Sequence, residues 1–121
     1  MRITAAGREL IDALLDEYTA ETSRSMAGKA IRRYVRVPLT NNQYSALVSF
    51  VMCEGIEVFK KSQMLKLINA SKKDWHKFIQ ASNQFDFYIY SIDEKGLRKP
   101  DQYLIKHRHW EKSLFLTPEA I

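Results

Sequence analysis

The chain has 121 residues, of which 45% are hydrophobic, so its length and composition favour one domain with a single packed core. No apolar run approaches the length of a membrane span, and the first residues lack the apolar segment of a secretory signal. A single cysteine excludes an internal disulfide, and we therefore expect a cytoplasmic protein.

The net charge of +5 is unevenly distributed along the chain. Residues 1–30 carry four basic and five acidic side chains, whereas residues 31–121 carry fifteen basic and nine acidic ones. The excess of positive charge in the second part favours a polyanionic partner. We divide the chain accordingly into an N-terminal helix with its connector, 1–30, and a main domain, 31–121.

The N-terminal segment, from Ala5 to about Thr22, has the pattern of an amphipathic helix. Its apolar stripe consists of Leu10, Ile11, Leu14, Leu15 and Tyr18, and its opposite face is acidic, with Glu9, Asp12, Asp16, Glu17 and Glu21. The stripe either completes the core, which we favour, or forms a homodimer contact. The small residues of 23–29 predict a break after this helix.

Basic residues alternate with apolar ones in the segment 30–37. Arg32, Arg33 and Arg36 flank Tyr34, a combination that can hold a phosphate backbone or lie on the solvent side of an element. We rank the three arginines as secondary candidates for DNA binding.

The next helix has clear start and stop signals. Thr40 is placed as N-cap with Gln43 at the capping-box position, and Gly55 is a natural end. Cys53, on the apolar side of this helix, is expected to be a buried small hydrophobe. The alternation in 56–59 predicts a short strand.

Two short helices joined by a tight turn are predicted over 62–69 and 72–81, with Ser71 as N-cap of the second. Leu65, Leu67, Ile68, Trp75, Phe78 and Ile79 fall on inward faces. Lys72, Lys73, His76, Lys77 and Gln80 project outward. Such a face suits a DNA groove, although it is equally typical of an ordinary solvated helix.

A β-hairpin is predicted after the second helix, with strands over 85–92 and 102–108. Its turn, 93–96, contains Gly96, and Pro100 places 97–101 in a loop. The segment 109–119 is apolar enough to pack on the core or to form a dimer interface.

The order of helix, strand, helix, turn, helix and two-stranded wing, over residues 40–108, resembles the winged helix-turn-helix superfamily of DNA-binding domains. The resemblance implies an α+β, mainly helical fold with an extra N-terminal amphipathic helix. It also implies that the helix 72–81 enters the major groove and that the wing, 93–100, touches the backbone. The residues placed at DNA in this way are Lys72, Lys73, His76, Lys77 and Gln80, with Lys60, Lys61, Lys95, Arg98 and Lys99.

The predicted function is therefore a small sequence-specific protein that binds double-stranded DNA and regulates transcription or replication. Dimerisation through the N-terminal helix or the C-terminal segment would suit such a DNA-binding protein. The alternative is a winged-helix protein-protein adaptor whose interface is made by the N-terminal helix and the aromatic hairpin, with Tyr88 and Tyr90 pointing outward.

An enzyme is not expected from the motifs. A Gly-rich phosphate loop and a nucleophile elbow are both missing from the sequence. His107 and His109 share a face of the predicted strand, but no third metal ligand is near them and basic residues flank them. We predict no catalytic residues, no metal and no cofactor.

Overall fold

A computed structural model gives the fold of residues 21–119. Residues 21–34 form helix α1. The later helices are α2 (Asn41–Glu54), α3 (Ile56–Lys60), α4 (Gln63–Ala70), α5 (Trp75–Asn83) and α6 (Gln102–Leu116). Strands β1 (Tyr90–Ile92) and β2 (Arg98–Pro100) lie between α5 and α6, and short 3₁₀ turns occupy Ser71–Lys73 and Gln84–Phe87.

The core lies where α2 packs against α6 and α4 packs against α5. Phe50, from the middle of α2, is fully buried and meets Phe85 edge to face at 5.6 Å and Tyr88 at 4.8 Å. Phe115 of α6 closes the same cluster by packing 5.6 Å from Phe85. Truncating one of these fully buried rings to alanine would cost about 3–5 kcal/mol.

The predicted limits of α2 are confirmed. The side chain of Thr40 accepts from the backbone N–H of Gln43, and the Gln43 side chain accepts from the backbone N–H of Thr40, which completes the capping box. Gly55 ends the helix with φ 97°, a left-handed conformation that a side chain would strain.

The predicted pair of short helices is present, but the second begins later than expected. Asp74, not Ser71, is the N-cap of α5, and its carboxylate accepts from the backbone N–H of His76. Ser71 instead donates its hydroxyl to Ile68 O, and it starts a 3₁₀ turn that contains Lys72 and Lys73. The shift turns Trp75 outward, where 68% of it is exposed, so its predicted inward position is wrong.

Both segments that were to complete a winged sheet are helical. Residues 56–59 form most of α3, and 102–108 form the first half of α6. The returning strand is β2 within the predicted loop, and it pairs antiparallel with β1. A hairpin does form around the predicted turn, but its strands have three residues each and no third strand joins them within residues 21–119. Because the segments that should have extended the sheet are helices, the winged-helix fold class is wrong.

Helix α6 begins where Asp101 accepts hydrogen bonds from the backbone N–H groups of Tyr103 and Leu104. These bonds lower the pKa of Asp101, with the Leu104 bond as the largest cause. An aspartate that caps a helix N-terminus is stabilised in its charged form. The hairpin turn is closed similarly, because Asp93 accepts from Lys95 and Leu97, and Gly96 has φ 77° as predicted.

Helix α1 runs without a break through residues 23–29, contrary to the prediction. Gly28 is buried there against Tyr44 of α2, so its lack of a side chain permits close packing and does not interrupt the helix. The predicted helix over 5–22 lies almost wholly outside the described residues, and the division of the chain at residue 30 stays a prediction.

The described helices include none that is long and apolar enough to cross a membrane.

Candidate functional site

A cleft of about 910 Å³ lies between α1, α2 and α6. Its floor is formed by the face of α2 on which Ser45, Val48, Ser49 and Met52 follow one another at helical spacing. The two serines are short, and their size leaves room between α2 and its neighbours. A cavity of this volume suits an extended small-molecule or oligomeric ligand.

The wall that α1 contributes is basic. Arg24, Lys29 and Arg32 line the cleft there, and Glu21 is the one carboxylate among its lining residues in the part of the chain that the structure describes. Arg32 also lies over the ring of Tyr44, 5.2 Å from its centroid. The cleft therefore favours a ligand that carries negative charge.

Behind the cleft lies a buried ion cluster that joins α2 to α6. Arg108 is fully buried and donates to Glu111, to Glu54 at 3.1 Å and to Tyr88 O at 3.0 Å. Burial alone would lower the pKa of Arg108, but the hydrogen bond and charge of Glu111 outweigh it, so the pKa is raised. Burial, together with the charge of Glu54, raises the pKa of Tyr88.

His107 connects this cluster to the cleft. Its Nε2 lies 3.0 Å from Ser49 Oγ and 3.3 Å from Oε2 of Glu111, a buried oxygen that forms no hydrogen bond itself. In a Ser-His-acid relay the serine and the carboxylate use opposite nitrogens of the imidazole. Both partners here approach the same nitrogen, so Ser49 is not arranged as an activated nucleophile.

Cys53 lines the cleft and is exposed, so the prediction of a buried cysteine is wrong. The reason is that Cys53 lies on the cleft side of α2, beside the guanidinium of Arg108. As for metals, no group of three His, Cys, Asp or Glu side chains within residues 21–119 could hold an ion.

The side chains predicted to bind DNA lie on several different elements. Lys72 and Lys73 lie on the 3₁₀ turn, whereas His76, Lys77 and Gln80 lie on α5. Lys60 ends α3, 5.7 Å from the ring of Tyr34, and Lys61 pairs with Glu57.

The remaining predicted residues are also dispersed. In the hairpin, Lys95 lies in the turn, Arg98 covers Tyr90 at 4.1 Å and Lys99 pairs with Asp93 at 3.2 Å. Arg33 and Arg36 are exposed, and Arg32 is the one predicted residue in the cleft. Ligand contacts of these residues are untested, and they stay predictions.

Sequence reasoning missed the site residues of α6 because it assigned them a period of two. The helical signal was present: Tyr103, His107 and Trp110 recur at i, i+4 and i+7, and a capping Asp101 precedes them. The half-buried Leu104 and the buried residues Arg108, Glu111 and Phe115 follow the same spacing on another face.

Comparisons with known proteins agree on one family. Residues 5–111 match the family model described as phage lysozyme. The chain is 32% identical over 108 residues to the endolysin of Acyrthosiphon pisum secondary endosymbiont phage 1, which covers 89% of this chain and 66% of that protein. It is 32% identical over 90 residues to the endolysin of Bacillus phage B103, which covers 74% of this chain and 30% of that protein.

A solved structure agrees with these relatives. The muramidase domain of SpmX from Asticaccaulis excentricus is 34% identical and superposes with a TM-score of 0.71, over 97% of this chain and 70% of that one. The fold is thus that of a lysozyme-like domain, mainly helical with a small sheet. The chain belongs to the phage lysozyme family. It spans 30% and 66% of the length of the two endolysins.

Family membership overturns the functional predictions. The predictions of a DNA-binding regulator, of double-stranded DNA as its partner and of no enzyme activity are wrong. The alternative of a protein-protein adaptor is not supported either. Short sequence motifs do not indicate a glycosidase, for a physical reason. Glycoside hydrolysis needs carboxyl groups placed around one bond, and this requirement has no fixed local spacing comparable to a phosphate loop.

Proposed function

We propose that this chain is a cell-wall glycosidase domain that binds peptidoglycan in the cleft between α1, α2 and α6 and hydrolyses its glycan strand. The observation that carries the proposal is the cleft itself, about 910 Å³ in volume, in a chain of the phage lysozyme family. A peptidoglycan substrate lies outside the cytoplasmic membrane. The proposal therefore places the working protein at the cell wall instead of the cytoplasm.

The charge of the cleft supports this substrate. Peptidoglycan carries free carboxylates on its stem peptides, and Arg24, Lys29 and Arg32 present three cations along one wall. Opposite charges steer an anionic polymer toward the site and fix its orientation. A glycan without charge would contact only the polar and aromatic side chains of the cleft.

The chemistry requires a carboxylic acid that protonates the leaving oxygen and a second group that stabilises or attacks the sugar cation. Glu21, the first described residue of α1, lines the cleft. Glu9, Asp12, Asp16 and Glu17 precede it in the sequence. We assign the acid chemistry to this acidic segment, with Glu21 as its cleft-lining member.

The buried ion cluster serves a different purpose. Glu111 is fully buried and bound to Arg108, so it has no access to a substrate. Arg108 also holds Glu54, which fixes α2 against α6 and thereby sets the width of the cleft floor. The cluster is a positioning device, not the acid.

The proposal is tested with purified peptidoglycan sacculi and the full chain. Release of soluble fragments with new reducing ends supports hydrolysis. Replacing the general acid with its amide should lower the rate about 10²–10⁴-fold, so we would make Glu21→Gln, Glu17→Gln, Asp16→Asn, Asp12→Asn and Glu9→Gln singly.

The matched control is Glu57→Gln, which removes an exposed carboxylate of α3 that pairs with Lys61. It should leave the rate unchanged. Binding of sacculi without new reducing ends would contradict hydrolysis and leave a wall-binding domain. Equal activity in all five acidic variants would contradict the assignment of the acid to this segment.

A further inference from the structure

One face of α6 carries three aromatic rings in a row, Tyr103, His107 and Trp110, which we call the ring ladder. Their spacing of four and three residues places them on one face of the helix. The rings of Tyr103 and His107 are parallel within 10° at a centroid distance of 5.7 Å, and those of His107 and Trp110 are 5.8 Å apart.

The ladder leaves aromatic faces open. Rings in direct face-to-face contact lie about 3.5–4 Å apart, so centroids at 5.7 Å mean that neighbouring rings are displaced sideways. Tyr103 is 71% exposed and Trp110 is 53% exposed. Two large rings therefore expose more than half of their area at the protein surface.

The middle ring is fixed from behind. Ser49 and the buried carboxylate of Glu111 both approach Nε2 of His107, as described above. Exposed side chains normally lose rotamer freedom when a ligand binds, and a ring that is already fixed loses less. The ladder is therefore preorganised at its centre.

The ladder continues the cleft. Tyr103 and His107 are lining residues, whereas Trp110 lies beyond the cleft along α6. A helix rises about 1.5 Å per residue, so seven residues from Tyr103 to Trp110 span about 10 Å. This length is comparable to a disaccharide unit of a glycan strand.

We infer that the ring ladder binds consecutive pyranose rings of the glycan strand where it leaves the cleft, an inference that rests on the proposed function. The C–H groups on one face of a pyranose are slightly positive, and aromatic faces are negative, so the two stack. Tyr103 and Trp110 add an O–H and an N–H that reach sugar oxygens at the ring edges. The basic wall across the cleft then meets the carboxylates of the same strand.

Trp75 provides an internal contrast. It is also exposed, but it stacks on Phe78, which in turn stacks on the buried Phe115. Trp75 lines no part of the cleft, and its ring is covered on one side by Phe78. The chain has two tryptophans, one in the ladder and one outside it.

This arrangement allows a direct test by fluorescence. Trp75→Phe leaves Trp110 as the sole tryptophan, and Trp110→Phe leaves Trp75. Each variant is titrated with a hexamer of β-1,4-linked N-acetylglucosamine, and the affinity of the unmodified chain is measured by calorimetry. We expect the Trp110 emission to shift and become protected from acrylamide at the calorimetric Kd, while the Trp75 emission does not change.

Tyr103→Ala should weaken hexamer binding about ten-fold, because an open stacking face is lost. The matched control is Tyr90→Ala, which removes an exposed tyrosine of the hairpin. Calorimetric binding with an unchanged Trp110 emission and unchanged affinity in Tyr103→Ala would overturn the ladder.

Absence of hexamer binding to the unmodified chain would also overturn the inference. The same sample assayed on sacculi then separates the two ideas. New reducing ends would leave the proposed function intact without the ladder, and their absence would remove both.

Discussion

The lysines around α5 and the charges of α6 show two opposite ways of using polar residues. Lys72 and Lys73 are exposed on a turn and line no part of the cleft. Arg108 and Glu111 are fully buried, and they hold the floor of the cleft in place. The lysines that stand out in the sequence thus lie on a solvated surface. The buried charges of α6 were missed because their segment was assigned the two-residue period of a strand.

The comparison predicts that the buried charges dominate stability. Arg108→Met should destabilise the fold by about 3–5 kcal/mol, because it leaves Glu111 buried without its partner. Urea denaturation gives this value. Combining Arg108→Met with Glu111→Leu should restore part of the loss, since the cost comes from the orphaned carboxylate. A double variant that is less stable than the single one would contradict this explanation.

A second large effect is expected where α1 meets the cleft. A Cβ built on Gly28 would lie 2.2 Å from the hydroxyl oxygen of Tyr44 but 3.4 Å from the ring carbon that bears it. Gly28→Ala should therefore cost about 1–3 kcal/mol through overpacking. Adding Tyr44→Phe should relieve most of that cost in a double-mutant cycle. Independent, additive effects of the two changes would show that the contact is absent.

The cap of α6 predicts a pH dependence. Because the pKa of Asp101 is lowered in the folded state, its contribution to stability is present above the unfolded pKa of about 3.9 and is lost as the pH falls through the folded pKa. Asp101→Asn keeps a capping side chain that does not titrate. Stability measured between about pH 6 and pH 3 should therefore fall less steeply in this variant. Identical slopes would contradict the assigned cap.

The smallest effect is expected at the exposed lysines. Lys72→Glu combined with Lys73→Glu should change the free energy of unfolding by about 0.5 kcal/mol or less, and should leave the release of reducing ends from sacculi unchanged. A loss of stability comparable to that of Arg108→Met would break the distinction between the two regions.

Local signals determined how much of the fold could be predicted. The capping box at Thr40, the stop at Gly55 and the turn at Gly96 depend on a few neighbouring residues, and the structure confirms them. Residues 56–59 and 102–108 were assigned as strands from short runs, where alternation and helical spacing are hard to separate. For 102–108, following the apolar spacing as far as Phe115 would have distinguished a helix from a strand.

The site was less accessible to sequence reasoning than the fold. Arg108 contacts Glu54, and His107 contacts Ser49, over more than 50 residues of sequence. Glu111 contacts both His107 and Arg108, but it follows a run of basic residues that gives no sign of the pairing. Arg32, predicted as a secondary DNA-binding residue, lines the cleft, and its charge is visible in the sequence. Residues that function by being buried carry no such mark, and a single sequence does not reveal which charge will be enclosed.

The central claim is that this cleft cleaves a glycan strand. The most direct measurement is to digest purified sacculi with the chain, reduce the products with borohydride and identify the sugar at each new chain end by mass spectrometry. Our account predicts soluble fragments that end in a newly reduced amino sugar, with no new peptide ends. Intact sacculi, or fragments released only by peptide cleavage, would contradict it.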